Sequence, residues 1–91
     1  MSKDCGELSQ ETLELHQAIR SLIEELEAID AYQQRVDATQ DEELRQILAH
    51  NRDEEVEHVA MLLEWIRRRN PVFARELSEQ LFREGPIGHE A

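Results

Sequence analysis

Apolar residues recur at alternating steps of four and three along two long stretches of the chain, and one short polar break separates the two stretches. In the first stretch the series begins at Leu15 and resumes at Val36 after a gap at Gln33; the intervening members are Ile19, Leu22, Leu26 and Ile29. This spacing places the apolar side chains along one face of an α-helix. We therefore predict a long amphipathic helix, with Ser9 as its N-cap.

The polar break at residues 37–41 predicts a short turn between two antiparallel helices. Thr39 and Glu42 have the three-residue spacing of a capping box, so we expect Thr39 to cap the second helix. That helix is expected from about Gln40 to Asn70, because Pro71 disfavours its continuation.

A third, shorter segment completes the predicted fold. Phe73, Leu77 and Leu81 have helical spacing, and Gly85 followed by Pro86 is a stop signal. The sequence therefore predicts an all-α fold, in which a two-helix antiparallel hairpin is followed by a short C-terminal helix. Because the chain has only 91 residues, we expect one domain over 1–91, with flexible ends at 1–8 and 88–91.

Acidic residues outnumber basic ones by 21 to 10, which gives a formal net charge of −11. That charge repels phosphate backbones and anionic lipid, so we expect neither nucleic acid nor a membrane as a partner. Cys5 is the only cysteine, which excludes an intrachain disulfide and a cysteine-rich metal site. We expect a reducing, cytoplasmic location and a cation as the natural ligand.

The apolar face of the second helix contains polar residues, which is unusual. Glu55 and His58 lie on that face and form Glu-x-x-His, the spacing at which a carboxylate and an imidazole can bind one metal ion. Buried polar groups of this kind need a partner, because an unpaired one costs several kcal/mol on the order typical of buried charges. The complete face consists of Leu44, Leu48, Asn51, Glu55, His58, Leu62 and Trp65.

The first helix offers one ligand at the matching depth. Glu25 lies 12 residues before Asp37, and Glu55 lies 15 residues after Gln40, so each is roughly 20 Å from the turn at about 1.5 Å per residue. Glu25, Glu55 and His58 are therefore the predicted metal ligands, although Glu25 could instead be one more surface carboxylate.

Three ligands are half of the set that dinuclear carboxylate centres use in four-helix bundles. We therefore expect two copies of the hairpin to dimerise into a ferritin-like four-helix bundle. Open coordination positions with carboxylate and imidazole ligands favour iron or manganese, and iron would give a redox function.

Two features of the sequence have two interpretations each. Tyr32 is either a hydrogen-bond donor near a ligand or an interface aromatic, and the flanking acidic residues are either an outer cation site or a solvated surface. The latter are Glu24, Glu27, Glu54 and Glu57.

Three blocks of the sequence carry a resemblance to a known family. They are IEELEAIDAYQQRVD (residues 23–37), HNRDEEVEHVAMLLEWIRR (residues 50–68) and LFREGPI (residues 81–87). Together they closely resemble the encapsulated ferritins. The resemblance implies a ferroxidase that oxidises Fe(II) with dioxygen at a dinuclear iron centre between two subunits. It also implies a ring of dimers, expected to be a pentamer of dimers, inside an encapsulin nanocompartment whose shell protein is the partner.

By resemblance, the family's iron ligands correspond to Glu25, Glu55 and His58. Its acidic entry positions correspond to Glu24 and Glu27, which are candidate sites for calcium or another divalent cation, and its aromatic near the site corresponds to Tyr32. The chain departs from the family in two ways: Ala31 stands where many relatives have tryptophan, and no shell-docking peptide follows Ile87. The rival hypothesis is a structural or metal-sensing helical bundle that holds a redox-silent ion such as zinc.

Overall fold

The computed structural model describes residues 7–88, and this part of the chain contains three α-helices and no strand. Helix α1 comprises Gln10–Ala38, α2 comprises Glu42–Arg69 and α3 comprises Pro71–Gln80. The two long helices are antiparallel, and a short turn joins them. The predicted all-α hairpin with a short third helix is confirmed; the predicted flexible ends lie largely outside the described residues.

Side-chain caps define the first residues of α1 and α3. Ser9 caps α1 as predicted, because its hydroxyl accepts the Thr12 N–H at 3.1 Å. Asn70 both ends α2 and caps α3, where its side chain accepts the Phe73 N–H at 3.0 Å. Pro71 is therefore the first residue of α3, a position that tolerates the missing N–H.

The predicted cap of α2 at Thr39 is wrong, and Asp41 takes that role. The Asp41 carboxylate accepts the Leu44 N–H at 2.9 Å. Thr39 instead ends α1, since its N–H donates to the Arg35 carbonyl at 3.0 Å. The Thr39 hydroxyl accepts the Asp41 N–H at 3.2 Å, so it binds the residue before α2 and not an N–H of its first turn. A carboxylate at the N-cap also interacts favourably with the helix dipole.

Helix α3 also ends earlier than the predicted stop at Gly85. Leu81 is extended, and Phe82 has a φ of 57°, a left-handed conformation that cannot continue a right-handed helix. Beyond it the chain folds back, so that the Gly88 N–H donates to the Gln80 side-chain oxygen at 3.1 Å.

Arg45 joins the turn to both long helices. Its guanidinium donates to the Val36 carbonyl at 3.2 Å, to the Thr39 carbonyl, and to the Glu42 carboxylate at 2.5 Å. The two carbonyls lie at the end of α1, where the last four carbonyls of a helix have no partner within the helix. Arg45 therefore holds the end of α1 against the start of α2.

The molecule is one helix layer thick. Its extents are 59 × 39 × 18 Å, and among residues 7–88 only Ala18 and Ile66 are buried. Leu26 and Leu44, both on the predicted apolar faces, remain 50% and 45% exposed. A single hairpin therefore leaves much of its apolar surface uncovered.

Candidate metal centre

The hairpin turn brings residues of α1 and α2 to equal depth. The stretch from Glu25 to the end of α1 at Ala38 is as long as the stretch from the start of α2 at Glu42 to Glu55. At a rise of about 1.5 Å per residue, each glutamate is about 20 Å from the turn. His58 follows Glu55 by one helical turn and therefore shares its side of α2.

Glu25, Glu55 and His58 form a cluster between the two helices. His58 Nδ1 lies 3.1 Å from Glu25 Oε2 and 3.7 Å from Glu55 Oε2. One ligand atom of each residue falls within 4.8 Å of the other two. The side chains of Glu25, Glu55 and His58 are 26%, 23% and 44% exposed, so the cluster faces the open side of the hairpin.

The donor set and its spacing fit a small divalent cation. Nitrogen and oxygen ligands lie about 2.0–2.2 Å from such an ion, so two ligands at right angles are about 3 Å apart. The distances of 3.1 and 3.7 Å from Nδ1 are compatible with one ion, after small movements of the side chains. All three ligands come from one side, which leaves coordination positions open on the other. Carboxylate and imidazole donors suit iron, manganese or zinc.

The predicted outer acidic residues are not part of this cluster. Glu24 and Glu27 are exposed on α1. Since a helix turns about 100° per residue, they point about 100° and 200° away from Glu25. They lie on the surface around the cluster rather than in it, and their role as a cation site stays a prediction.

Tyr32 lies farther along α1, about 10 Å from Glu25 by helical rise. The side chain is half-buried, and the Arg35 guanidinium lies 5.4 Å from the ring centroid. Among the hydrogen bonds of residues 7–88, none joins Tyr32 to a carboxylate or imidazole of the cluster. Its proposed role near the metal stays a prediction.

An open groove next to the cluster was not predicted from the sequence. It has a volume of about 660 Å³ and runs from Glu25 and His58 to Trp65. At its far end the Arg69 guanidinium lies 4.2 Å from the Trp65 ring centroid. The sequence signal that could have indicated this groove was Met61, which follows His58 by about one helical turn. The remaining lining residues are Glu14, Gln17, Ala18, Ser21, Met61 and Leu62.

The two other histidines among residues 7–88 lie away from the cluster. His50 Nε2 is 3.3 Å from Glu54 Oε1 on the exposed side of α2, and His16 is exposed on α1. His89 and Cys5 lie outside the described residues.

Two ion pairs to one carboxylate lie near the end of α2. Arg67 and Arg68 each lie 2.6 Å from the Glu64 carboxylate. Their side-chain hydrogen bonds lower the pKa of Glu64 to about 2. The same pairing raises the pKa of Arg67.

None of the helices in the described part of the chain has the length and hydropathy that a membrane crossing requires.

The fold and the cluster together define a helical hairpin with a group of two carboxylates and one imidazole that could hold a metal ion. Residues 1–84 match the EncFtn-like family, and the chain belongs to this family. The resemblance to the encapsulated ferritins is thereby confirmed.

Similar proteins occur in several bacteria. The chain is 60% identical over 80 residues to an "Encapsulated ferritin-like protein" of Rhodospirillum rubrum, covering 88% of this chain and 57% of that protein. It is 51% identical over 82 residues to a "Ferritin-like protein" of Thermotoga maritima, covering 90% and 72%. It is 45% identical over 67 residues to the "Encapsulin nanocompartment cargo protein EncC" of Myxococcus xanthus, covering 72% and 52%. The match thus spans little more than half the length of the first and third relatives.

A crystal structure of a Nitrosomonas europaea protein has the same fold. It superposes with a TM-score of 0.87 at 60% sequence identity and covers 98% of each chain. The arrangement of three helices is therefore shared along nearly the whole chain.

Proposed function

We propose that this protein is a ferroxidase, which oxidises Fe(II) to Fe(III) with dioxygen as the electron acceptor. The observation that carries the proposal is the cluster of Glu25, Glu55 and His58 on the open side of the hairpin. Membership of the EncFtn-like family and the names of the relatives support an iron-related role. Iron is the substrate in this proposal, and the three side chains hold it during oxidation.

A second copy of the chain would complete the site. Dinuclear carboxylate centres in four-helix bundles use two glutamates and two Glu-x-x-His pairs, and each hairpin has one of each. Pairing would also cover exposed apolar side chains of α2, such as Met61 in the groove beside His58 and Ile47 about 12 Å from Glu55 toward the turn, which are 57% and 54% exposed. In this arrangement Glu25 and His58 are terminal ligands and Glu55 bridges the two ions.

A pair of iron ions makes the electron balance simple. Each Fe(II) loses one electron, so one turnover supplies two electrons and reduces one dioxygen to hydrogen peroxide, with two protons taken from water. Coordination positions that the two ligand sets leave unfilled would be available to dioxygen. We further propose that Glu24 and Glu27 attract cations toward the site by their negative charge, with calcium or another divalent cation as the occupant.

We also propose that the chain works inside an encapsulin shell as a ring of dimers. The Rhodospirillum rubrum relative is named encapsulated, and the Myxococcus xanthus relative is named as an encapsulin cargo. A shell gives the reaction a physical benefit, because Fe(III) released at neutral pH hydrolyses and precipitates unless it is confined. The location in the cell would then be the cytoplasm, within the nanocompartment.

Oxygen uptake after addition of Fe(II) tests the ferroxidase proposal. We expect the wild-type protein to consume one dioxygen per two Fe(II), and Glu55→Gln or His58→Ala to lose most of this activity. Glu43→Gln is the matched control, because Glu43 is an exposed carboxylate on the same helix about 18 Å from Glu55. Tight binding of zinc without oxygen uptake would instead support the redox-silent bundle.

A further inference from the structure

Met61 lies beside the candidate metal cluster. It follows His58 by three residues on α2, so the two side chains are neighbours on one side of the helix, with Cβ atoms about 5–6 Å apart. Met61 is 57% exposed, and it lines the groove of about 660 Å³ that also contains Glu25 and His58. A small molecule that leaves the cluster along this groove therefore passes the Met61 side chain.

Met61 also lies where two grooves meet. A second groove, of about 480 Å³, extends from Met61 and Trp65 past Glu57 and Arg68. Met61 and Trp65 are the two residues that line both grooves. Since Met61 is three residues from His58 and Trp65 is seven, a molecule that moves from the cluster toward the second groove meets Met61 first.

The thioether of methionine reacts with hydrogen peroxide to give methionine sulfoxide. A sulfur lone pair attacks one peroxide oxygen, an S–O bond forms, the O–O bond breaks, and the second oxygen leaves as water. The sulfur loses two electrons, which reduce the peroxide. The proposed oxidation of two Fe(II) supplies one hydrogen peroxide at the cluster, so Met61 has an oxidant within a few ångströms of its side chain.

We propose that Met61 is a modification site, where hydrogen peroxide formed at the cluster of Glu25, Glu55 and His58 oxidises the thioether to the sulfoxide. The inference rests on the proposed function in one respect, that peroxide forms at this cluster. It adds that Met61 captures part of that peroxide before it mixes with the solution. Pairing of two hairpins would cover Met61, so this peroxide reaches the sulfur from within, whereas peroxide in solution has to enter the interface first.

Oxidation would change the surface next to the cluster. A sulfoxide replaces a flexible apolar side chain with a polar one, one helical turn from His58. The modified side chain is therefore a permanent record, on the protein itself, of peroxide released on this side of α2.

Peptide mass spectrometry after iron oxidation tests the assignment. The full chain receives Fe(II) in air together with N-acetylmethionine, a free thioether that reports peroxide in the solution. Protein loaded with redox-silent Zn(II), given the same reporter and added hydrogen peroxide, provides the ratio of Met61 sulfoxide to reporter sulfoxide that solution peroxide produces. We expect this ratio to be several-fold higher during iron oxidation.

The two possible failures are distinguishable in this experiment. Equal ratios in the two reactions, with normal oxygen uptake, would overturn the inference and leave the proposed function intact. Absence of oxygen uptake above that of Fe(II) in buffer would overturn the proposed function, and the inference with it.

Two variants identify the oxidised atom and the source of the oxidant. Cleavage after arginine leaves Met61 and Trp65 in one peptide, residues 53–67, and Met61→Leu removes the sulfur at similar volume. We expect this peptide to gain no oxygen in Met61→Leu; a gain would place the modification on a neighbour such as Trp65 and contradict the assignment. Glu55→Gln keeps Met61 but should lower the ratio to the value for solution peroxide, and a ratio that stays high would show that the oxidant does not come from the cluster.

Discussion

Replacing Arg45 with methionine should loosen the hairpin turn. The substitution keeps an apolar stem of similar length and removes three donated hydrogen bonds, to the Val36 carbonyl, the Thr39 carbonyl and the Glu42 carboxylate. The two carbonyls would lose their charged donor at the end of α1. Lysine is the informative second variant, because one ammonium group cannot span both carbonyls in the fork geometry of a guanidinium.

The expected loss follows from where each bond lies. A hydrogen bond to a charged group contributes about 1.5–3 kcal/mol when shielded from water, whereas an exposed helix pair three residues apart contributes about 0.2–0.5 kcal/mol. The Arg45 side chain is 36% exposed and Glu42 is 67% exposed, so the carboxylate pair counts for little and the two carbonyl bonds are partly screened. We expect Arg45→Met to lower the free energy of unfolding by about 2 kcal/mol and Arg45→Lys by about 1 kcal/mol.

Urea unfolding followed by circular dichroism measures this loss, at one fixed protein concentration and in chelator, because association and metal both stabilise the folded state. Arg75→Met is the matched control: its guanidinium pairs with Glu76 on the exposed side of α3, so its loss should stay within about 0.5 kcal/mol. If Arg45→Met behaves like Arg75→Met, the Arg45 hydrogen bonds at the turn do not contribute to stability.

The structure supports three further predictions. Ile66→Ala should lower the free energy of unfolding in urea by about 2–5 kcal/mol, because Ile66 is fully buried. Ile47 is 54% exposed, so Ile47→Ala should lower it much less in dilute monomer and more where two copies associate. The NMR titration of Glu64 should have its midpoint near pH 2. Because this folded pKa lies below the ordinary 4.5, the ion pairs stabilise the fold above pH 4.5 and lose that contribution as the pH falls toward 2. Glu64→Gln should therefore reduce the dependence of the free energy of unfolding on pH between 4.5 and 2. Loading the isolated protein with many equivalents of Fe(II) in air should give precipitate and no soluble core on size-exclusion chromatography, since an open ring confines nothing; protein-bound iron far beyond about two ions per dimer would contradict this.

The long helices were predictable because their signals are repeated many times. The apolar series along α1 has a single interruption, at Gln33. Along α2 polar residues occupy three positions in the middle of the series, Asn51, Glu55 and His58, but apolar residues on both sides keep the same spacing. The predicted helix ends depended on single residues, and two of them were wrong. Thr39 and Glu42 matched a capping box, yet Asp41 caps α2; Leu81 continued the spacing of Phe73 and Leu77, yet the chain turns left-handed at Phe82.

The proximity of Glu25 to Glu55 and His58 did not depend on the exact helix ends. The turn expected from the sequence lay slightly nearer to Glu25 than to Glu55. The structure makes the two distances equal, because α1 continues to Ala38 and α2 begins at Glu42. The mismatch was smaller than one helical turn of about 5.4 Å, which is within the reach of a glutamate side chain.

The Arg45 contacts were not predictable in the same way. An arginine near a turn can point to solvent, to a carboxylate or to a carbonyl, and the sequence does not choose among them. The groove beside His58 was equally hidden, because its shape depends on which side chains a single helix layer leaves uncovered.

Charge balance would also govern the fate of the oxidised ions at the proposed dinuclear site. Two Fe(II) ions carry four positive charges, which the four carboxylates of two hairpins balance. Oxidation raises the total to six, so the same four carboxylates leave an excess of two positive charges in a partly desolvated space. That excess has to be neutralised by deprotonated water, which is the first step toward ferric hydroxide, or relieved by departure of the ions. A ligand set with two glutamates and one histidine per ion therefore favours the substrate over the product.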